Sequence, residues 1–229
     1  MLSLMLGLFV SAGEPDAQLL SKLTAHSERL AVLEKADGTL QLSSKSNELD
    51  ASGKATHTKE IDLVIVQTAG IAKTQLKRFI EDGTDATEAM RADIESGAKK
   101  ASRSQEMGIS SMSPFTNEAR GKYSFSVETR PQEDAGLVRL SFWPKGEKSP
   151  ELMLGEALID AASGELVKLS MQPSKNPPFV EKLSFEVDFD DRTSAGRAVS
   201  RMRVHRESGM SVIKKRFDSV TTFQRAPGG

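Results

Sequence analysis

The 229 residues carry 31 Lys and Arg against 32 Asp and Glu, a formal net charge of -1, so no global field draws in nucleic acid or an anionic bilayer. A 38% hydrophobic and 28% charged composition is that of a folded protein, and its length suits one large β domain or two small ones. The absence of cysteine excludes disulfides, thiolate metal sites, cysteine nucleophiles and a lipid-modified cysteine.

The opening run MLSLMLGLFVSA is too short to span a bilayer but long enough for a signal-peptide core, and Val10-Ser11-Ala12 supplies the small residues a signal peptidase needs. No cationic n-region precedes it, so a buried N-terminal segment or a misplaced start is the alternative. Export is the expectation, with residues 1–12 removed, a single domain over 13–225 and a tail over 226–229. No later segment approaches the length of apolar chain that a spanning helix requires.

Leu19, Leu20, Leu23, Leu30 and Leu33 fall at helical spacing from Asp16 to about Ala36. Asp37-Gly38 then turns the chain into a short strand, Thr39 to Leu42. Ile61 to Val66 is apolar on both sides, which predicts a strand covered on both faces. A strand over Thr74 to Glu81 ends at Asp82-Gly83. Asp85 and Glu88 have capping-box spacing, and Ala86, Met90 and Ile94 give the helix that follows a thin apolar stripe. Ala98 to Ser113, with Lys99, Lys100 and Arg103, reads as fraying helix or loop whose cations serve solubility.

Beyond Ser113-Pro114-Phe115 the pattern is strand and turn. Tyr123, Phe125 and Val127 alternate, as do Val138, Leu140 and Phe142; further strands carry Ala157 and Ile159, then Val167, Leu169 and Met171. Pro173 to Pro178 breaks the sheet. Leu183, Phe185, Val187 and Phe189 alternate with Glu186, Asp188 and Asp190, and the next strand, Arg197 to Arg206, opposes that acidic row with Arg197, Arg201, Arg203 and His205. Ser211 to Phe223 is the last strand and Arg225 begins the tail.

About ten strands and two helices fit a mainly β fold: one strongly curved antiparallel sheet with helices against its concave face. Catalytic chemistry finds no support. His26, His57 and His205 lack metal-ligand spacing, no nucleophile elbow occurs, Asp188 and Asp190 sit on a wet strand face, and no phosphate-cradling loop precedes a helix. Aromatic residues, at 5%, do not interleave with cations as a nucleic-acid platform would. The inner face would carry Phe125, Val127, Leu140, Phe142, Leu169, Met171, Phe185 and Val187, with Leu63 and Ile65 from the early apolar strand. These residues are the candidate apolar-ligand site, and periodicity alone leaves open whether they wall a cavity or fill a solid core.

Gly155-Glu156-Ala157-Leu158-Ile159-Asp160, Ser163-Gly164-Glu165-Leu166, Pro173 to Val180 and Phe185 to Phe189 resemble the C-terminal half of outer-membrane lipoprotein-sorting sequences, the LolA/LolB-like superfamily. Ile213-Lys214-Lys215-Arg216-Phe217, Thr221-Thr222-Phe223 and Glu81-Asp82-Gly83 are similar to corresponding stretches of those chains, so the likeness covers about Leu63 to Phe223. The resemblance implies a half-barrel of antiparallel strands closed by helices, in a periplasmic, non-enzymatic carrier without cofactor or metal, whose partners are acyl chains of lipid or lipoprotein. It also implies a lid-like helix and loop over residues 84–113, to which Met90 and Ile94 belong. A cell-envelope protein-interaction module of the same fold, with a filled core and envelope proteins as partners, is the alternative.

Overall fold

Asp16 starts the first helix by accepting the Gln18 amide on its side chain at 3.0 Å, which satisfies one of the N–H groups that a helix start leaves without a partner. The structure, a computed structural model, describes residues 11–98, 112–129, 136–210 and 213–226. Before the helix lies β1 (Ser11–Gly13); the helix itself is α1 (Ala17–Lys35). Then come β2 (Gly38–Leu49), β3 (Ala55–Thr68), β4 (Ile71–Glu81), β5 (Thr84–Asp85) and α2 (Thr87–Ala98). The second half supplies β6 (Tyr123–Thr129), β7 (Leu137–Pro144), β8 (Met153–Asp160), β9 (Leu166–Pro173) and β10 (Val180–Asp188). It closes with β11 (Asp191–Thr193), β12 (Gly196–Ala198), β13 (Arg201–Met210) and β14 (Ile213–Arg225).

Among the described residues, twelve of these strands form one open, curved antiparallel sheet in the order β1-β6-β7-β8-β9-β10-β13-β14-β2-β3-β4-β5. The mainly β architecture and the curved sheet are as the sequence reading expects. The last strand, β14, pairs with β2, Phe223 opposite Leu42 and Arg225 opposite Leu40, so the C-terminal strand lies in the middle of the sheet beside an early one. Residues facing each other across that seam are far apart in sequence, and local patterning carries no trace of the pairing.

α1 buries Leu23, Thr24, His26, Ser27, Leu30 and Leu33, a stripe at three- and four-residue intervals, against the concave face. Its last carbonyls are finished from the sheet: the Gln67 side-chain amide donates to the Lys35 carbonyl at 2.9 Å. Under its first half lies a packed core. Leu23 belongs to it together with Leu140, Ala157, Ile159, Leu166, Leu169 and Val187, and Phe115 joins with its ring edge-on to Phe142 at 5.4 Å. Tyr123 belongs to the same cluster and its hydroxyl accepts the Met153 amide at 3.0 Å.

Several expectations are corrected. The short strand Thr39 to Leu42 is twelve residues long, Gly38–Leu49, because both neighbours extend beside it. The expected strand Arg197 to Arg206 is two elements: β12 closes a small hairpin with β11, and only β13 continues the main sheet. Asp85 and Glu88 do not form a capping box. Asp85 belongs to β5 and accepts the Thr87 amide at 2.9 Å, while Glu88 pairs with Arg91 one turn on. Residues 61–66 are half-buried throughout, not covered on both faces; Gln41 and Gln75, which flank Val64, leave its outer side partly open. Arg225 is not tail but the last residue of β14. The cations at 99, 100 and 103 lie outside the described residues, as does the apolar N-terminal run before residue 11.

One turn stores strain. Val180 donates to the Pro177 carbonyl at 3.1 Å, and Phe179 sits between them at φ 63, where such a turn favours glycine; its side chain is 67% exposed. Phe179→Gly is expected to raise stability by about 1 kcal/mol, the relief of strain outweighing the added freedom of the unfolded chain. A lower urea midpoint for the variant would show instead that the ring packs in place.

Candidate functional site

Past the packed core, the second half of α1 stands off from the sheet and leaves a hollow of about 580 Å³. Leu30 and Leu33 of α1 form one wall. Leu40 and Leu42 of β2, Ile61, Leu63 and Ile65 of β3, and Ala72 and Thr74 of β4 form the floor. Strand register explains the floor: Leu42, Leu63 and Leu76 are direct cross-strand partners, as are Leu40, Ile65 and Thr74, so alternate residues of three strands face the same way. Met202, Thr221 and Phe223 complete it from β13 and β14; Leu166, Leu169 and Phe189 close the side that abuts the core. The lining is predominantly apolar, in the size range of roughly 300–1,000 Å³ typical of small-molecule sites.

The sequence candidates divide between the two regions. Leu63, Ile65 and Leu169 line the hollow. Leu140, Phe142, Met171 and Val187 are buried in the packed core, with Phe125, Val127 and Phe185 packed against it. Phe115 fills the space over β6 and β7, its ring against Phe125 and Phe142. Met90 is half-buried on α2, which packs against β4, and it does not line the hollow; the side chain of Ile94 lies outside what the structure describes.

His26 fixes how α1 sits. Its side chain is fully buried, Nε2 donates to the Arg197 carbonyl at 2.8 Å, and Nδ1 accepts the Leu166 amide at 3.1 Å. A carbonyl can only accept and an amide N–H can only donate, so the ring is the neutral tautomer with its proton on Nε2. Burial pushes its pKa down, the Arg197 bond opposing. Close approach of the helix also depends on Gly164, at φ 73, where an added Cβ would come within 2.3 Å of the Lys22 Cβ. Lys22 in turn donates to the Ala162 carbonyl at 2.9 Å.

Three lining residues are ones that sequence reasoning missed. Ser27 is 2% exposed and its hydroxyl has no hydrogen-bond partner. Arg225 is half-buried and makes no hydrogen bond or close ion pair among the described residues; burial pushes its pKa down, while the charges of Glu34 and Asp191 hold it up. Glu34 lines the same hollow. Ser27 lies amid helical polar residues and Arg225 precedes Ala-Pro-Gly-Gly, so neither carries a sequence signal that separates it from ordinary surface.

The convex face is a charge lattice. Glu186 and Asp188 stand opposite Arg203 and Arg201, and Arg203 lies 3.5 Å from Glu186 and 3.2 Å from Asp188, the pairing that the two charged rows predict. Arg197, outside β13, pairs instead with Asp190 at 3.6 Å. His205 bonds to Asp218 at 2.5 Å and to Glu207 at 3.0 Å, and these two carboxylates push its pKa up. Such pairs hold strand register more than they add stability, being exposed to water. Among the described residues no cluster of His, Asp and Glu has the makings of a metal site, and no helix is long and apolar enough to cross a membrane.

No family model and no curated protein matches this chain. Among solved structures it is similar to a DUF1329 family protein from Desulfovibrio piger, at 9% identity over 95% of each chain with a TM-score of 0.37. It is similar at 10% identity to a chain of the Pseudomonas aeruginosa MucA/MucB complex, over 93% of this chain and 100% of that one, with a TM-score of 0.26. It is also similar to a LolA superfamily protein from Nitrosomonas europaea, at 9% identity over 89% of this chain and 90% of that one, with a TM-score of 0.34.

Proposed function

We propose that the hollow between α1 and β2–β4 binds the acyl chain of a lipid or lipoprotein, and that the protein is a carrier or chaperone of such chains in the periplasm. The observation that supports this reading is an apolar hollow of about 580 Å³ beside a core that is otherwise filled. An empty space lined by Leu, Ile and Phe is costly to leave unfilled and takes up apolar matter readily. Its volume is that of a site for one small ligand, so one chain enters, and several chains of a multiply acylated partner do not share it.

Leu63 stands on the floor, half-buried with open space before it. Leu63→Trp fills that space and is expected to weaken binding of a long-chain fluorescent acyl ester at least about tenfold, while the urea midpoint stays close to wild type. Failure of the wild-type protein to bind the probe at all, in fluorescence titration, overturns the proposal.

A further inference from the structure

The sheet has an open flank at β4. β5 pairs only with Ile80 and Glu81, so among the described residues the stretch from Ile71 to Lys77 has β3 on one side and no strand on the other. Register says which of its backbone groups face outward. Thr68 and Ile71 close a two-residue turn, with Ala69 at φ 52 and Gly70 at φ 76, and such a closing pair bonds across the turn. Lys73 and Gln75 follow at intervals of two and turn their N–H and C=O to β3 as well, so those of Ala72 and Thr74 point away. Farther along, the outward groups of Phe79 are met: its amide donates to the Thr87 hydroxyl at 2.9 Å and its carbonyl accepts the Ala86 amide at 3.0 Å. Those of Ala72 and Thr74 have no partner among the described residues. A strand laid there would continue the floor of the hollow, which both residues already line.

Charge decides what kind of strand fits. Each acidic residue of β3 and β4 already has a cation: Glu60 pairs with Lys45 and Arg78, Asp62 with Arg78, and Glu81 with Lys59. Lys73 is exposed and has no such partner among the described residues, and Lys77 donates to the Gln75 side chain at 3.0 Å rather than to a carboxylate. These lysines guard the edge against a second copy of itself, because antiparallel pairing of two such edges brings like charges together. An acidic strand meets them favourably. We propose that the open edge of β4 takes up an extended acidic segment of a partner protein by strand addition, Ala72 and Thr74 supplying the backbone bonds and Lys73 and Lys77 the charge. This contact needs no lipid and stands apart from the acyl-binding reading.

The test is fluorescence anisotropy at low salt with two labelled heptapeptides, one alternating Glu with Thr and one alternating Lys with Thr. The expected result is that the acidic peptide binds about tenfold more tightly than the basic one. Thr74→Pro removes an outward N–H and leaves the β3 ladder whole, so the urea midpoint should stay close to wild type while affinity for the acidic peptide falls about tenfold. Lys73→Glu should weaken the acidic peptide about fivefold and strengthen the basic one. On the wild-type protein, the acidic peptide should slow hydrogen exchange at the Ala72 and Thr74 amides about tenfold. Absence of binding, or equal binding of the two peptides, overturns the proposal. Unchanged exchange at those amides overturns strand addition whether or not Thr74→Pro folds, and so does unchanged affinity in a folded Thr74→Pro protein. Unchanged affinities in Lys73→Glu overturn the charge argument. A wild-type dimer in sedimentation that Thr74→Pro separates into monomers assigns the edge to a second copy and overturns the acidic partner.

Discussion

His26→Ala is expected to lose about 3–5 kcal/mol of stability, the sum of two buried backbone groups left without partners and the void of a ring. The Leu166 amide and the Arg197 carbonyl both lose their partner, and they belong to β9 and to the β11–β12 hairpin, so a single side chain ties the helix both to the main sheet and to the separate hairpin. The hollow depends on the same tie, since α1 is its wall; acyl binding should weaken along with stability. Val32→Ala, on the exposed side of the same helix at 69% exposure, is the control and should change stability by less than about 0.5 kcal/mol.

The pH profile separates the two roles a histidine takes in this protein. For His26 the folded pKa is pushed below 6.5, so its contribution is present above that value and is lost as pH falls from there toward the folded pKa. Protonation at Nδ1 would set an N–H against the Leu166 N–H. For His205 the folded pKa is pushed above 6.5, so its contribution is present below that value and is lost as pH rises through the folded pKa. Urea unfolding should show the gap between wild type and the His26 variant shrinking on acidification, whereas the gap for His205→Ala should shrink on going alkaline. A pH-independent gap for His26 would mean that the ring is not held neutral.

Gly155→Ala is the second large effect, expected to cost about 3 kcal/mol or more because backbone and not side chain stands in the way. Gly155 lies on β8 opposite Met171 of β9, and a Cβ there would come within 2.0 Å of the Ser170 carbonyl oxygen and 2.8 Å of the Met171 Cα. Two central strands would have to part, directly beneath the core residues Ala157, Leu169 and Met171. A loss under about 1 kcal/mol would show that β8 and β9 separate easily, contrary to their packing.

Alternation was enough to find most of the strands, because each has one face on the core or hollow and one in water, as the run from Leu183 to Phe189 illustrates. Helical spacing and Asp16 were likewise enough for α1. Charge pairing between Glu186, Asp188 and the Arg201–Arg203 strand was legible because opposite charges at alternate positions have few other ways to be satisfied. The hollow was only partly legible. Leu63 and Phe142 follow the same alternation, yet one faces open space and the other is packed against Phe115, a residue from a loop that periodicity does not place.

The amino-acid sequence by itself determined the class of fold, the helix at the start, the alternating strands and the sorting of charge to the outer face, all of which follow from local spacing. Tertiary structure alone decided where the two halves of the open sheet join, since β14 pairs with β2 across most of the chain, and that the concave side is half core and half hollow. It also brought Arg225 from the end of the chain to the mouth of α1, beside Glu34 and Asp191. The physical reason is the same in each case: contacts between residues far apart in sequence depend on which strands pair, and a two-residue period is blind to the identity of the neighbour it faces.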